Sequence, residues 1–127
     1  MIPDLCLVAK ILLADDDPDY TATFGRAMDA LGHRFASVAT GEDIAAAVVE
    51  TRPDIVFLDV LMPGGGAISR LHELRAAHPH LPIVVITGNA AVYDSPIVTE
   101  GMRTANARVP KTISLLQLAE IIDRLTG

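Results

Sequence analysis

Two short apolar runs in this 127-residue chain each end on acid. Ile11-Leu12-Leu13-Ala14 follows Lys10 and leads into Asp15-Asp16, and Ile55-Val56-Phe57-Leu58 follows Asp54 and leads into Asp59. Neither run alternates apolar with polar residues. Strands covered on both faces read this way, so both runs are expected to be central strands of a parallel sheet flanked by helices. A buried strand that ends on a carboxylate delivers that charge to one edge of the sheet. Two strands doing so bring three like charges together, which is costly unless a cation sits among them. The feature therefore constrains the fold to a layered α/β arrangement and points to a metal site.

The rest of the chain continues the pattern. Asp17 followed by Pro18 is a helix start, with Phe24, Ala27, Met28 and Leu31 on one face and Gly32 as the stop. A second strand is predicted at about Arg34 to Ala39. Thr40-Gly41-Glu42 opens a second helix with Ile44, Ala45, Val48 and Val49 inward, and Pro53 stops it. A third helix is predicted from about Ala67 to Ala77, with Ile68, Leu71 and Leu74 inward, and His78-Pro79-His80 breaks it. Leu81 to Thr87 is the fourth strand and Arg108 to Pro110 a short fifth. Between them, Ala90 to Ala105 has poor periodicity and reads as a loop with a short or irregular helix. Ser114 with Gln117 three residues on is a capping box for a last helix carrying Leu115, Leu118, Ala119, Ile122 and Leu125 inward.

Half of the residues are hydrophobic and the formal charge is −6, which suits one globular domain. An acidic chain without a basic stripe argues against direct nucleic-acid binding and against an anionic membrane surface. The single Cys6 excludes an internal disulfide and reads as a buried thiol. Leu5 to Ala14 is too short to span a bilayer and, with Asp4 ahead of it, is a poor signal peptide. The default location is cytoplasmic.

In open parallel sheets, sites form beyond the carboxyl ends of the strands. Four strands here would end on Asp15-Asp16, Asp59, Thr87 and Lys111. Each residue alone has an ordinary reading as a turn, a cap or a solvated surface group, but their joint order is harder to obtain by chance. Clustered carboxylates suit a hard divalent cation such as Mg²⁺. An aspartate can also act as a nucleophile and form an aspartyl phosphate. Phosphoryl transfer needs positioning and charge neutralisation, which a divalent cation, a lysine and a hydroxyl would provide. Gly88 leaves room for the incoming group.

These residues carry a resemblance. Ile11-Leu12-Leu13-Ala14-Asp15-Asp16-Asp17, Val56-Phe57-Leu58-Asp59-Val60-Leu61-Met62-Pro63-Gly64, Val84-Val85-Ile86-Thr87-Gly88 and Lys111 resemble the receiver domain of the two-component response-regulator family. The likeness covers about Lys10 to Leu125, giving an N-terminal extension over 1–9 and a receiver over 10–127. It implies a flavodoxin-like, doubly wound five-stranded parallel sheet, (βα)5, in the order 2-1-3-4-5. It implies Asp59 as phosphoacceptor, and Asp15, Asp16, Asp59 and the backbone carbonyl of Leu61 around Mg²⁺, with Asp16 binding directly and Asp15 largely through water. Thr87 would hydrogen-bond the phosphoryl group and Lys111 would pair with it. The donor would be a sensor histidine kinase or a histidine phosphotransfer protein. Such a receiver catalyses its own phosphorylation and dephosphorylation, yet works mainly as a signalling switch. Its output face, about Ala90 to Leu125, would meet a downstream protein or an output domain. With nothing after Gly127, both a single-domain regulator and the receiver of a longer protein fit.

The chain departs from the family pattern in three places. Arg108 stands where an aromatic switch residue is usual, with Tyr93 as a possible substitute. Pro110 precedes Lys111 and Thr112 follows it, whereas the family's lysine is usually followed by proline, often in a cis peptide. A cis Lys111–Thr112 bond would cost about 2.5–4 kcal/mol, so either a trans bond with a reshaped loop or a strained exception is expected. Gly64-Gly65-Gly66 predicts a mobile loop that orders with phosphate and Mg²⁺. The altered switch region keeps a second reading open: a receiver-like interaction module with an atypical or phosphorylation-independent switch. An aspartate-nucleophile phosphatase of another fold is disfavoured, because Leu61 stands where such enzymes carry their acid. Leu61 and Asn89 flank the phosphoryl position, and an apolar Leu61 cannot orient an attacking water. Self-dephosphorylation is therefore expected to be slow to intermediate, and Leu61→Asn should shorten the half-life of the phosphorylated form in a phosphate-release assay.

Overall fold

The computed structural model describes residues 8–59, 67–88 and 103–126. Five parallel strands, β1 (Lys10–Ala14), β2 (Arg34–Val38), β3 (Ile55–Asp59), β4 (Ile83–Thr87) and β5 (Ala107–Pro110), form one sheet in the order β2-β1-β3-β4-β5. The described helices are α1 (Pro18–Ala30), α2 (Ile44–Thr51), α3 (Ala67–Ala77) and α4 (Leu115–Thr126). This is the expected flavodoxin-like topology. No described helix is long and apolar enough to cross a membrane.

The unalternating strands are explained by two cores. Successive side chains point to opposite faces, so Leu12, Ala14, Val56, Leu58, Ile83 and Val85 pack with Ile44, Val48, Leu71 and Leu74 of α2 and α3. Ile11, Leu13, Ile55, Phe57, Val84 and Ile86 pack with Phe24, Met28, Leu118 and Ile122 of α1 and α4. Every residue of β3 and β4 is buried, whereas the edge strands β2 and β5 are partly exposed.

The helix ends follow the local chemistry. Asp17 caps α1, its Oδ1 accepting the N–H of Asp19 at 2.9 Å and of Tyr20 at 3.2 Å, with Pro18 in the first turn. At the other end Gly32 takes φ +83°, the left-handed conformation glycine adopts freely. Its N–H reaches Asp29 O and that of His33 reaches Met28 O, closing a Schellman motif. Ser114 and Gln117 form the expected capping box before α4: the Gln117 N–H donates to Ser114 Oγ at 3.2 Å and the Ser114 N–H to Gln117 Oε1 at 3.4 Å.

Some inward positions differ from expectation. In α2, Ile44, Ala47 and Val48 are buried, while Ala45 is exposed and Val49 is 67% exposed. The buried set follows i, i+3, i+4 from Ile44, a single helix face, whereas Ala45 and Val49 lie about 100° round from Ile44 and Val48. Leu115 is exposed on the first turn of α4, and the buried residues of that helix begin at Leu118. β4 starts at Ile83 rather than Leu81, because the Leu81 N–H turns back to His78 O and Pro82 has no N–H to offer. The side chain of Ile68, the stretch from Ala90 to Met102, Tyr93 and the triple glycine lie outside the described residues.

Two polar contacts tie the amino ends of the strands. Arg75 of α3 donates to Leu81 O at 2.7 Å, Thr104 O at 3.1 Å and Asn106 Oδ1 at 2.7 Å. Asn106 Oδ1 also accepts the Ile83 N–H, so one guanidinium joins the starts of β4 and β5. The second contact involves His33. Its Nδ1 accepts the Ala9 N–H at 3.0 Å, and that nitrogen must be unprotonated to do so. Burial holds the His33 pKa below 6.5, with Asp123 opposing. The folded state thus binds fewer protons at this site than the unfolded chain. The stabilisation is complete above about pH 6.5 and is lost as pH falls through the lower folded value. Urea unfolding should show stability falling as pH drops below about 6.5, and His33→Gln should lack that part of the pH dependence.

Candidate functional site

Strand register carries the acids to one edge. Ala14 pairs with Leu58, so Asp15 and Asp59 come next side by side at the carboxyl ends of β1 and β3. Asp59 pairs with Ile86, and Thr87 closes β4. Thr87 in turn pairs with Pro110, and the Lys111 N–H donates to Thr87 O at 2.9 Å, extending that ladder by one residue. Four strand ends therefore deliver Asp15, Asp16, Asp59, Thr87 and Lys111 to one edge, the arrangement expected from the sequence.

Among the described residues, Asp15, Asp59 and Thr87 are the buried polar side chains, at 2%, 4% and 1% exposure. Buried polar groups are the informative exceptions in a protein interior, and here all three lie at this edge. Asp16 is exposed at the rim. One carboxylate oxygen from each of Asp15, Asp16 and Asp59 falls within 4.8 Å of the others. Asp15 Oδ1 accepts the Asp17 N–H at 2.9 Å, which couples the acid loop to the cap of α1.

Lys111 supplies the compensating charge. Its Nζ lies 2.7 Å from Asp15 Oδ2 and 3.6 Å from Asp59 Oδ2. Burial opposes the lysine's charge, but close pairing with Asp15 and the charges of Asp59, Asp15 and Asp17 outweigh it, so its pKa is raised. Asp15 Oδ2 is fully buried, and the Lys111 ammonium is its close contact. Three clustered carboxylates, an all-oxygen donor set, fit a hard divalent cation such as Mg²⁺. Asp15, Asp16 and Asp59 are the side chains that would hold it. The Leu61 carbonyl, the other expected ligand, lies outside the described residues, as does Asn89.

The departures around Lys111 take a definite form. Arg108 is exposed on the edge strand β5, where an aromatic switch residue is usual. Among the described residues no peptide bond is cis, so Lys111–Thr112 is trans. A Cβ on Gly88 would sit at ordinary contact distance, 3.5 Å, from Lys111 Cδ, so glycine keeps the space beside the lysine stem open. Tyr20 was not among the residues expected at the site. Its ring centroid lies 4.7 Å from Lys111 Nζ. Burial, then the charges of Asp15 and Asp59, push its phenol up to about 12, so it stays neutral. The available signal was its place in the first turn of a helix that starts beside the acid loop. A separate cleft of about 220 Å³, lined by Lys10, Arg34, Phe35 and Pro53 among others, opens at the amino ends of β1 and β2, away from this chemistry.

A match to the response regulator receiver domain spans residues 11–123. The chain belongs to that family. It is 33% identical over 84 residues to the probable transcriptional regulatory protein TcrX of Mycobacterium tuberculosis, covering 66% of this chain and 36% of the relative. It is 23% identical over 114 residues to the DNA-binding transcriptional regulator NtrC of Salmonella typhimurium, covering 90% and 24%. The receiver thus spans about a quarter to a third of these relatives. In fold it is similar to a CheY-like receiver domain protein from Methanospirillum hungatei, with TM-score 0.83, 20% identity and coverage of 93% and 94%. The response regulator TrrA from Thermotoga maritima, solved in complex with Mg(2+)-BeF, gives TM-score 0.81 and 23% identity, covering 91% and 97%.

Lys111 places a cation within 4 Å of both buried carboxylates. Removing it takes that positive charge away from both buried carboxylates. Lys111→Met should lose about 1–3 kcal/mol of stability in a metal-free buffer. Millimolar Mg²⁺ should restore part of that loss, read as a rise in thermal midpoint larger than the wild type shows.

Proposed function

We propose that this receiver accepts a phosphoryl group on Asp59 and uses it to switch a protein-binding face. The observation that carries the reading is a buried Asp59 at a strand end, with oxygens of Asp15 and Asp16 within 4.8 Å and the Lys111 ammonium at 3.6 Å. An Asp59 oxygen attacks the phosphorus of a phosphohistidine, the P–N bond breaks, and the imidazole leaves with a proton. Water later cleaves the acyl phosphate and returns inorganic phosphate. Asp15, Asp16, Asp59 and the Leu61 carbonyl would hold Mg²⁺, which would neutralise charge on the phosphoryl oxygens. Lys111 pairs with a phosphoryl oxygen, and the Thr87 hydroxyl donates to another.

The donor is a sensor histidine kinase or a histidine phosphotransfer protein, in a cytoplasmic two-component system or phosphorelay. The receiver face over about residues 90–125 then engages a downstream protein or an output domain. TcrX and NtrC are named as transcriptional regulators, so any DNA contact would belong to such an output domain rather than to this acidic receiver. Arg108, exposed where an aromatic switch is usual, favours a second reading: an interaction module whose switch is atypical or independent of phosphorylation.

Acetyl phosphate with Mg²⁺ separates the two. Intact mass should rise by one phosphoryl group, in the wild type and not in Asp59→Asn. A wild-type mass that stays unchanged, with no Mg²⁺ bound, would leave only the interaction module.

A further inference from the structure

The Lys111 ammonium stands in a three-sided setting: Asp15 at 2.7 Å, Asp59 at 3.6 Å and the Tyr20 ring at 4.7 Å from its centroid. The carboxylates account for its charge. They do not account for how a flexible four-carbon stem is kept at this edge, since the lysine remains partly exposed and loses rotamer freedom when held.

Tyr20 is itself firmly placed. Its N–H is bonded to the Asp17 cap. Its ring packs against Phe24 at 5.9 Å, and Phe24 packs in turn against Phe57 of β3 at 5.0 Å and Phe35 of β2 at 5.8 Å. The aromatic row is anchored in the core on the α1 face and ends under the ammonium. A neutral ring with its negative face toward a cation attracts it without fixing its direction.

We propose that Tyr20 is a positioning residue for Lys111, its ring holding the ammonium over the paired aspartates while leaving it free to move between them. This rests on the phosphoacceptor reading for its purpose, because the lysine must pass from Asp15, its nearer partner now, toward oxygens added on Asp59. A second hydrogen-bonding anchor would resist that shift. A ring face tolerates it.

The test uses the intact protein, with Tyr20→Phe and Tyr20→Leu. Ring current should move the Lys111 ε-methylene protons upfield in the wild type and in Tyr20→Phe, and this shift should vanish in Tyr20→Leu. Phosphorylation by acetyl phosphate at saturating Mg²⁺ should be near wild-type in Tyr20→Phe and about 2- to 30-fold slower in Tyr20→Leu, the range that cation–π energies imply. In a Lys111→Met background Tyr20→Leu should add nothing. An absent ring-current shift in the wild type would overturn the proposal. So would a Tyr20→Phe as slow as Tyr20→Leu, or a Tyr20→Leu effect that survives without Lys111. A wild type that takes no phosphoryl group would overturn the phosphoacceptor reading and the rate effect with it. The ring-current shift decides the Tyr20–Lys111 contact in either case, because it is measured on unphosphorylated protein.

Discussion

Asp15 and Asp59 hold like charges side by side and out of water, on strands that the hydrophobic core does not allow to part. Lys111 is what makes that tolerable. Its ammonium lies within 4 Å of both carboxylates, from the far side of a strand order that places β5 two positions from β3. Charge balance at the edge therefore depends on β5 keeping its register with β4. That register is held by the Thr87–Pro110 pairing and by the Lys111 N–H on Thr87 O. At the opposite end Arg75 and Asn106 fasten the starts of the same two strands. The polar contacts of the fold thus bracket β4 and β5 from both ends, while apolar packing fixes the centre.

The two-faced core explains why the edge can be so polar. Odd and even residues of the central strands serve different helix layers. No backbone or side chain within β3 or β4 is left to solvate, so polar chemistry is confined to the strand ends. A one-residue slip of β3 against β1 would exchange the faces of its side chains and move Asp59 off Asp15. The burial that stabilises the sheet is also what sets the spacing of the carboxylates.

Much of this was legible in the residues. Asp15, Asp16, Asp59, Thr87 and Lys111 were readable because each closes or follows a strand, and strand ends in a parallel sheet share one edge. Asp17-Pro18, Gly32 and the Ser114–Gln117 pair were readable because capping is local chemistry over three or four residues. What sequence could not convey depends on distance or phase. Tyr20 and Lys111 are 91 positions apart in sequence, and no local pattern links an aromatic in a first helical turn to a lysine past the last strand. His33 accepts from Ala9 across 24 residues. In α2 the apolar residues Ile44, Ala45, Ala47, Val48 and Val49 fit more than one face, and only tertiary packing selects Ile44, Ala47 and Val48 over Ala45 and Val49.

The placement of aromatic residues follows from the same constraint. An ammonium that sits beside two buried carboxylates and, on the proposed function, must also respond to a phosphoryl group on Asp59 needs a neighbour that adds attraction without adding another fixed acceptor. A further carboxylate would deepen the like-charge problem, and a hydroxyl or carbonyl would compete for the ammonium's donors. An aromatic face does neither. On β5 the exposed Arg108 has no ring face to offer. The first turn of α1 can offer one, since Asp17 fixes where the helix begins and Phe24 fixes how Tyr20 lies on it. The lysine's apolar support therefore comes from the α1 side of the sheet, through the acid loop that also carries Asp15 and Asp16.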